Sequence, residues 1–128
     1  MRKILKSIRL QRQAQRWMAA YILEVLRNYP IIVLSWGVDN KSYRIAEDAE
    51  HRSGLEFTVQ GFKHKGKVQI LYDEGADAFL FNLIDTDGKT VKTREDVYVN
   101  ELVPAIDEAV EKVENYSARI CQEYGISS

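Results

Sequence analysis

The alternation of apolar and polar residues is clearest in the middle third of the chain. Residues 55–59 and 68–72 alternate with a period of two, and residues 79–83 continue the same pattern. This period places successive side chains on opposite faces of a β-strand. Short polar segments that contain glycine follow each stretch, as β-hairpin connections do. The pattern predicts an antiparallel meander of four strands ending near residues 91–93. Its predicted buried face comprises Leu55, Phe57, Val59, Val68, Ile70, Phe79, Phe81 and Leu83.

Both terminal regions have the composition or spacing of long helices. Residues 2–28 are rich in helix-forming side chains and precede Pro30, which predicts one helix that ends there. Residues 17–26 are apolar on nearly every side, which predicts that this half is buried. Residues 97–124 carry an apolar stripe with helical spacing, and Pro104 either begins or kinks that helix. The stripe comprises Leu102, Ile106, Ala109, Val113, Tyr116 and Ile120.

A short apolar run separates the first helix from the meander. Residues 31–36 (Ile-Ile-Val-Leu-Ser-Trp) are rich in β-branched side chains, which predicts a strand buried on both faces. Residues 38–41 favour a turn and residues 42–45 a partner strand, whereas the charged residues 46–54 favour a surface loop or short helix. The predicted fold is therefore α+β. An antiparallel meander sheet of four or five strands is flanked by a long N-terminal helix and a long C-terminal helix.

Length and composition favour a single globular domain. The chain has 128 residues, of which 45% are hydrophobic and 29% charged, and no repeat or linker divides it. We expect one domain over residues 1–128, with residues 1–16 a partly docked basic helical extension. No apolar stretch approaches the ~20 residues of a membrane span. The single cysteine, Cys121, cannot form an intramolecular disulfide, which favours a cytoplasmic protein.

Two short motifs resemble parts of ligand-binding loops. Residues 61–67 (Gly-Phe-Lys-His-Lys-Gly-Lys) fit the start of a phosphate-binding loop, but Val68 lacks the hydroxyl that binds magnesium. A strand is also predicted to follow, whereas phosphate binding requires a helix. Residues 85–88 (Asp-Thr-Asp-Gly) match the start of a calcium loop, but Lys89 stands where an oxygen ligand is required. We interpret both motifs as hairpin turns and expect no cofactor and no bound metal.

The titratable side chains suggest no catalytic site. His64 lies between two lysines, and we expect it to be a solvated turn residue. No base can be placed beside Cys121, which favours buried packing over nucleophilic chemistry. Adjacent carboxylates such as Glu47 and Asp48 do not face one another in a loop. The sequence therefore favours a protein that is not an enzyme.

Charge is distributed unevenly although the net charge is only −1. Residues 1–27 carry seven basic residues and one acidic residue, whereas residues 95–128 carry eight acidic and two basic residues. The simplest interpretation is that the two terminal helices pack together and complement each other's charge. The other interpretation is a basic surface that contacts a partner. Its candidate residues are Arg2, Lys3, Lys6, Arg9, Arg12 and Arg16 in the helix and Lys63, Lys65 and Lys67 in a hairpin tip.

Two functional hypotheses follow from these patterns. The first is a small non-catalytic interaction or oligomerisation module that binds a protein partner or a second copy of itself. The alternative is a nucleic-acid-associated accessory protein that uses the basic N-terminal helix. Trp17, Trp36 and Phe62 could stack on bases, but aromatic side chains at such positions more often fill a core. A nearly neutral chain also has little long-range attraction for a polyanion.

Overall fold

The computed structural model describes the backbone of residues 2–111 and the side chains of residues 13–111. The elements are α1 (Arg2–Arg27), α2 (Pro30–Ser35), β1 (Arg44–Glu47), β2 (Ser53–Gln60), β3 (Lys65–Asp73), β4 (Ala78–Ile84), β5 (Thr90–Val97) and α3 (Val99–Val110). The strands form one antiparallel sheet in the order β1-β2-β3-β4-β5, so each strand pairs with its neighbour in sequence. This is the predicted α+β meander, in its five-stranded form.

The predicted hairpin register is confirmed. Phe57 pairs with Val68 across β2 and β3, and Ile70 pairs with Phe81 across β3 and β4. All eight residues predicted for the buried face lie in the main hydrophobic cluster, together with side chains of α1 and α3. A slip of one residue would turn a strand's whole apolar set to the other face. The face of the sheet that α1 and α3 cover is therefore the core face.

The opposite face of the sheet holds a smaller buried cluster. Ala46, Leu71 and Leu80 pack together there, and Gly54 lies between Ala46 and Leu71 in the pairing across the strands. A Cβ built on Gly54 would lie 1.7 Å from the carbonyl oxygen of Ile70. Any side chain at this position would therefore push the β2 and β3 backbones apart.

The sheet has two ends, which we call proximal and distal. Ser53 and Asp73 lie at the proximal end, with the β1–β2 turn, the β3–β4 turn and the start of α3. Gln60 and Lys65 lie at the distal end, with residues 61–64 and the β4–β5 turn. Because β2 has eight residues, the two ends are about 23 Å apart. Features at opposite ends cannot form one compact site.

Helix α1 packs along β2, and only one stripe of it is buried. Ala14 lies beside the proximal end of the sheet, and the buried stripe towards the distal end comprises Ala19, Ile22 and Leu26. Trp17 is 63% exposed, so the prediction that residues 17–26 are buried all round is wrong. The helix is amphipathic here because only one side of it meets the sheet. No helix in the described part of the chain is long and apolar enough to cross a membrane.

The prediction of a buried strand at residues 31–36 is wrong. Pro30–Ser35 form helix α2, in which Ile31 is 81% and Leu34 79% exposed. Proline suits the first turn of a helix because the N–H that it lacks would have no intrahelical partner. Only Trp36, immediately after the helix, is fully buried. A six-residue apolar run has no periodicity that separates a strand from a helical turn.

Element boundaries differ from the prediction in two further places. The strand expected at residues 42–45 is β1, which pairs with β2 and not with the run at residues 31–36. Of the residues 46–54, expected to be a loop or short helix, only 48–52 lie outside strands. Pro104 lies inside α3, so the prediction that the helix could begin there is wrong. Leu102, Ile106 and Ala109 are buried as expected; Val113, Tyr116, Ile120 and Cys121 lie outside the described residues.

Candidate interaction surface

Four aromatic rings form a row at the proximal end of the sheet. Trp17 and Tyr21, one turn apart on α1, stack with 5.6 Å between ring centroids. Tyr21 stacks on Phe79 with centroids 6.4 Å apart, and Phe79 meets Tyr72 at 5.3 Å. Phe79 is buried, whereas Trp17 at the other end of the row is largely exposed. The row therefore connects the hydrophobic core with the solvent.

Two adjoining cavities flank this row, with volumes of about 460 and 430 Å³. Both are lined by Trp17, Met18 and Tyr72, and we call them together the aromatic cleft. Tyr98 and Val99, where α3 begins, complete its apolar wall and are 57% and 40% exposed. Contiguous exposed apolar side chains on a folded protein are typical of an interaction site. The cleft is thus the best-defined candidate for one.

Carboxylates surround the aromatic cleft. Glu50, Asp73 and Glu74 line one cavity and Asp77 lines the other, and we call these four residues the acidic rim. Arg52 is the only lysine or arginine among the described residues that line the two cavities. The rim therefore carries more negative than positive charge, which favours a cationic partner.

The β1–β2 turn holds its side of the rim in place through Asp48. The Asp48 carboxylate accepts hydrogen bonds from the backbone N–H groups of Glu50 and Arg52, at 3.1 and 2.9 Å. It also accepts one at 2.7 Å from Nε of Arg52. Burial raises the pKa of Asp48, but the hydrogen bonds and charge of Arg52 outweigh it, so the pKa lies below its usual value. The Arg52 guanidinium also lies 3.8 Å from the Asp73 carboxylate, which links the β1–β2 turn to the end of β3.

The β3–β4 turn forms the other side of the rim. The Tyr72 hydroxyl donates a hydrogen bond to the Asp77 carboxylate. That hydrogen bond raises the pKa of Tyr72, so the phenol stays neutral and continues to donate. The side chain of Glu74 is exposed and makes no hydrogen bond or ion pair with another described residue. Glu74 is therefore available to a partner.

The basic residues predicted from the sequence lie in two separate places. Arg16 is exposed on α1, one residue before Trp17 and thus at the proximal end. The loop that carries Lys63, and the strand residues Lys65 and Lys67, lie at the distal end. The other members, Arg2, Lys3, Lys6, Arg9 and Arg12, belong to α1, but their side chains lie outside the described residues. The structure does not bring the helix and the hairpin tip into one surface.

Two of the tip lysines already have partners. Nζ of Lys63 donates a 2.6 Å hydrogen bond to the carbonyl oxygen of Glu108, and Nζ of Lys67 lies 3.5 Å from the Glu56 carboxylate. The side chain of Lys65 is exposed. The tip therefore offers less unpaired positive charge than its sequence indicates.

His64 is buried, at 7% exposure, so the prediction of a solvated residue is wrong. Its Nε2 lies 3.0 Å from the carbonyl oxygen of Lys67. The backbone of this loop is docked on α3, because the N–H of Lys63 donates to the carbonyl oxygen of Val110. Docking folds the loop inward and encloses the imidazole, which a local sequence pattern does not reveal.

The two motif-like segments have the predicted structural context. Strand β3 follows residues 61–64, where a phosphate-binding loop would require a helix. In the β4–β5 turn, Oδ1 of Asp85 accepts hydrogen bonds from the N–H groups of Asp87 and Lys89, at 3.0 and 2.9 Å. That oxygen therefore has a role in the turn itself. Among the described residues, no group of three His, Cys, Asp or Glu side chains is arranged to hold a metal ion.

A second groove lies at the distal side of α1. It has a volume of about 480 Å³ and is lined by residues from the end of α1, from α2 and from the segment before β1. Ile31 and Leu34 are exposed on α2, and Leu34 reaches its wall. Among the described residues that line it, Arg27 is the single charged one. Charge therefore does not favour any class of partner for this groove.

Sequence reasoning did not identify the aromatic cleft. The sequence groups Trp17 with Trp36 and Phe62 as rings that could stack on bases, but Trp36 is buried at the distal end and donates its indole N–H to Asp107. A usable signal is the spacing of Trp17 and Tyr21, which places two aromatic rings on one face of a helix.

The chain matches no family model, no curated protein and no solved structure.

Proposed function

We propose that the protein is a non-catalytic interaction module, and that the aromatic cleft and its acidic rim bind a basic helical segment of a protein partner. The observation that carries this proposal is Trp17, a largely exposed ring in a packed aromatic row, with four carboxylates around it. We place the module in the cytoplasm, because a lone cysteine needs no oxidising compartment.

The chemistry of the cleft suits lysine and arginine side chains. Their methylene stems can pack on the rings while the charged groups reach the rim. A cation over the face of a tryptophan or tyrosine gains about 0.5–1 kcal/mol at exposed sites. Tryptophan and tyrosine are also the residues that most often dominate the binding energy of an interface. Trp17, Tyr21 and Tyr98 supply such rings here.

The alternative function, nucleic-acid binding, has less support at this surface. The acidic rim would repel phosphates at the end of the molecule where Arg16 lies. The tip lysines lie at the opposite end, and two of them have partners within the chain. Such a function would therefore depend on the basic half of α1 alone.

The test is a titration of the intact protein with a cationic helical peptide of alternating alanine and lysine blocks, followed by tryptophan fluorescence. Trp36 is buried, so a change in emission reports on Trp17. We expect saturable binding that weakens with salt, since exposed charges are screened within about 10 Å at 0.1 M salt. Glu74→Lys should weaken binding about tenfold, which corresponds to about 1.4 kcal/mol.

Asp87→Lys is the matched control. It makes the same charge change on an exposed turn residue, but in the β4–β5 turn at the distal end. It should leave peptide binding unchanged, and a glutamate-containing peptide should not bind. Equal effects of the two reversals, or no saturable binding either to the wild-type chain or to a Lys3→Glu, Lys6→Glu variant with an unaltered cleft, would contradict the proposal. Tight, salt-sensitive binding of duplex DNA that Glu74→Lys strengthens would favour the nucleic-acid alternative.

A further inference from the structure

We infer that the partner segment is the basic first half of α1 from a second copy of this chain, so that two copies form a reciprocal dimer. This inference rests on the proposed function, because it names the occupant of the same aromatic cleft. In this dimer, the basic half of α1 from each copy would occupy the aromatic cleft of the other.

Charge is the first reason for this assignment. Residues 1–16 carry six basic residues and no acidic residue, which complements the acidic rim. The other candidate within the chain, residues 112–128, carries two basic and two acidic residues and has no net charge. The N-terminal half of α1 therefore fits the rim better than the C-terminal segment does.

The direction of α1 is the second reason. The helix lines the cleft with Ala14, Trp17 and Met18 and continues without interruption to Arg2. At 1.5 Å per residue, positions 6 and 3 lie about 12 and about 16 Å beyond Ala14 along the helix axis. The helix thus carries its basic residues away from the rim of its own chain. A rim on another copy can meet them.

The apolar pattern of α1 is the third reason. Positions 4 and 8 hold isoleucine and lie fourteen residues before Met18 and Ile22, which places them on nearly the same helix face. In the described part of α1 this face packs on the sheet, because Ile22 is buried and Met18 packs against the core. A helix whose apolar stripe continues past its own sheet needs a second surface to cover it. The exposed rings of the cleft are such a surface.

Symmetry makes the arrangement self-consistent. A two-fold interface requires one self-complementary patch that faces its own copy. Here the basic half of α1 leads up to the acidic rim, which lies level with Ala14 and Trp17. A two-fold axis near position 10 would set the two α1 helices antiparallel. Positions 6 and 3 of each copy would then lie opposite Ala14 and Trp17 of the other copy, beside its acidic rim. Both contacts form together, and neither copy is left with an open surface.

The test uses analytical ultracentrifugation of the full chain and charge reversals in both surfaces. We expect a dimer that dissociates as salt increases. Lys3→Glu with Lys6→Glu, and separately Glu50→Lys with Glu74→Lys, should each weaken dimerisation at least about tenfold. Asp87→Lys is the control and should leave it unchanged. Circular dichroism and thermal melting establish that each variant is folded.

Mixing the two reversed variants gives the decisive result. One then carries an acidic helix and the other a basic rim, so a heterodimer has both contacts restored while each homodimer has neither. We expect the mixture to dimerise where each variant alone does not. A wild-type chain that is monomeric at all concentrations, or a mixture that stays monomeric, would overturn the inference. So would a dimer that survives both reversals but is lost on Ile31→Glu, because the interface would then lie on α2.

Failure of the dimer and failure of the proposed function are distinguishable. The Lys3→Glu and Lys6→Glu variant has an unaltered cleft, and the cationic peptide titration can be repeated on it. If it binds the peptide and the wild-type chain does not dimerise, the cleft accepts a basic segment of a different protein. If it binds no peptide, the proposed function itself is wrong.

Discussion

Single residues determine how closely β2 and β3 approach and how the β1–β2 turn is positioned at the proximal end. Gly54 allows β2 and β3 to approach more closely than any side chain would permit, since a Cβ there would overlap the Ile70 carbonyl. Asp48 and Arg52 then tie the β1–β2 turn together and link it to Asp73 at the end of β3. The acidic rim is thus positioned by backbone contact and by ion pairs, each of which can be tested alone.

Gly54→Ala should lower the free energy of unfolding by roughly 1–3 kcal/mol, the usual cost of overpacking. The added methyl group must displace the backbone, which has no rotamer with which to avoid it. Gly75→Ala is the matched control, because its nearest neighbour, an Asp73 carboxylate oxygen, lies at an ordinary 3.5 Å. Urea denaturation of both variants measures the difference. Equal free energies of unfolding for Gly54→Ala and Gly75→Ala would show that β2 and β3 can move apart without loss of stability.

Asp48→Asn should change how stability depends on pH. The pKa of Asp48 is lowered in the folded state by Arg52, although burial opposes this effect. The contribution of the ionised carboxylate is therefore fully present above the unfolded pKa of about 3.9 and is lost as pH falls through the folded value. The asparagine variant lacks this contribution, so the stability gap to wild type should narrow in acid.

Melting temperatures measured from neutral pH to below pH 4 would check this expectation. Arg52→Met is the control, because it removes the guanidinium that hydrogen bonds to Asp48 and should abolish much of the same pH dependence. A gap between Asp48→Asn and wild type that stays constant across the acid range would contradict the assigned cause.

At the scale of elements, periodicity predicted the sheet and failed for α2. The three hairpins that join β2 to β5 were predictable because each of their turns contains glycine and because a period of two extends over five residues in β2, β3 and β4. The run at residues 31–36 has neither feature, and its β-branched residues suggested a buried strand. Pro30 was interpreted only as the end of α1, although it also begins α2. Pro30 therefore marks both the end of α1 and the start of α2, and the composition of residues 31–36 indicated only the first.

Ile31→Glu should change the free energy of unfolding by no more than about 0.5 kcal/mol, as surface substitutions usually do. Ile31 is largely exposed, and a carboxylate in the first turn of a helix is compatible with the helix dipole. Trp36→Ala, five residues later, should cost about 3–5 kcal/mol because that ring is fully buried. Urea denaturation compares the two. A loss of several kcal/mol from Ile31→Glu would instead support a buried strand at residues 31–36.

At the scale of the whole molecule, the aromatic cleft is assembled from distant parts of the sequence. Trp17 and Tyr21 come from α1, Tyr72 and Phe79 from paired strands, and Tyr98 from the start of α3. Local sequence patterns do not specify which face of a helix packs at which end of a sheet, so the cleft could not be predicted from them. The basic groups illustrate the same limit, because the sequence suggested one surface, whereas the fold places Arg16 and the tip lysines at opposite ends of the sheet.

The connectivity of the sheet has a kinetic consequence. Because β1 to β5 pair strictly in sequence order, every strand can find its partner by closing a loop of only a few residues. Loop closure on this scale takes about 10–100 ns and a hairpin forms in about 1–10 μs. A low separation between contacting residues is associated with rapid folding. The slower event should be the docking of α1 and α3, which must join opposite ends of the described chain over an already paired sheet.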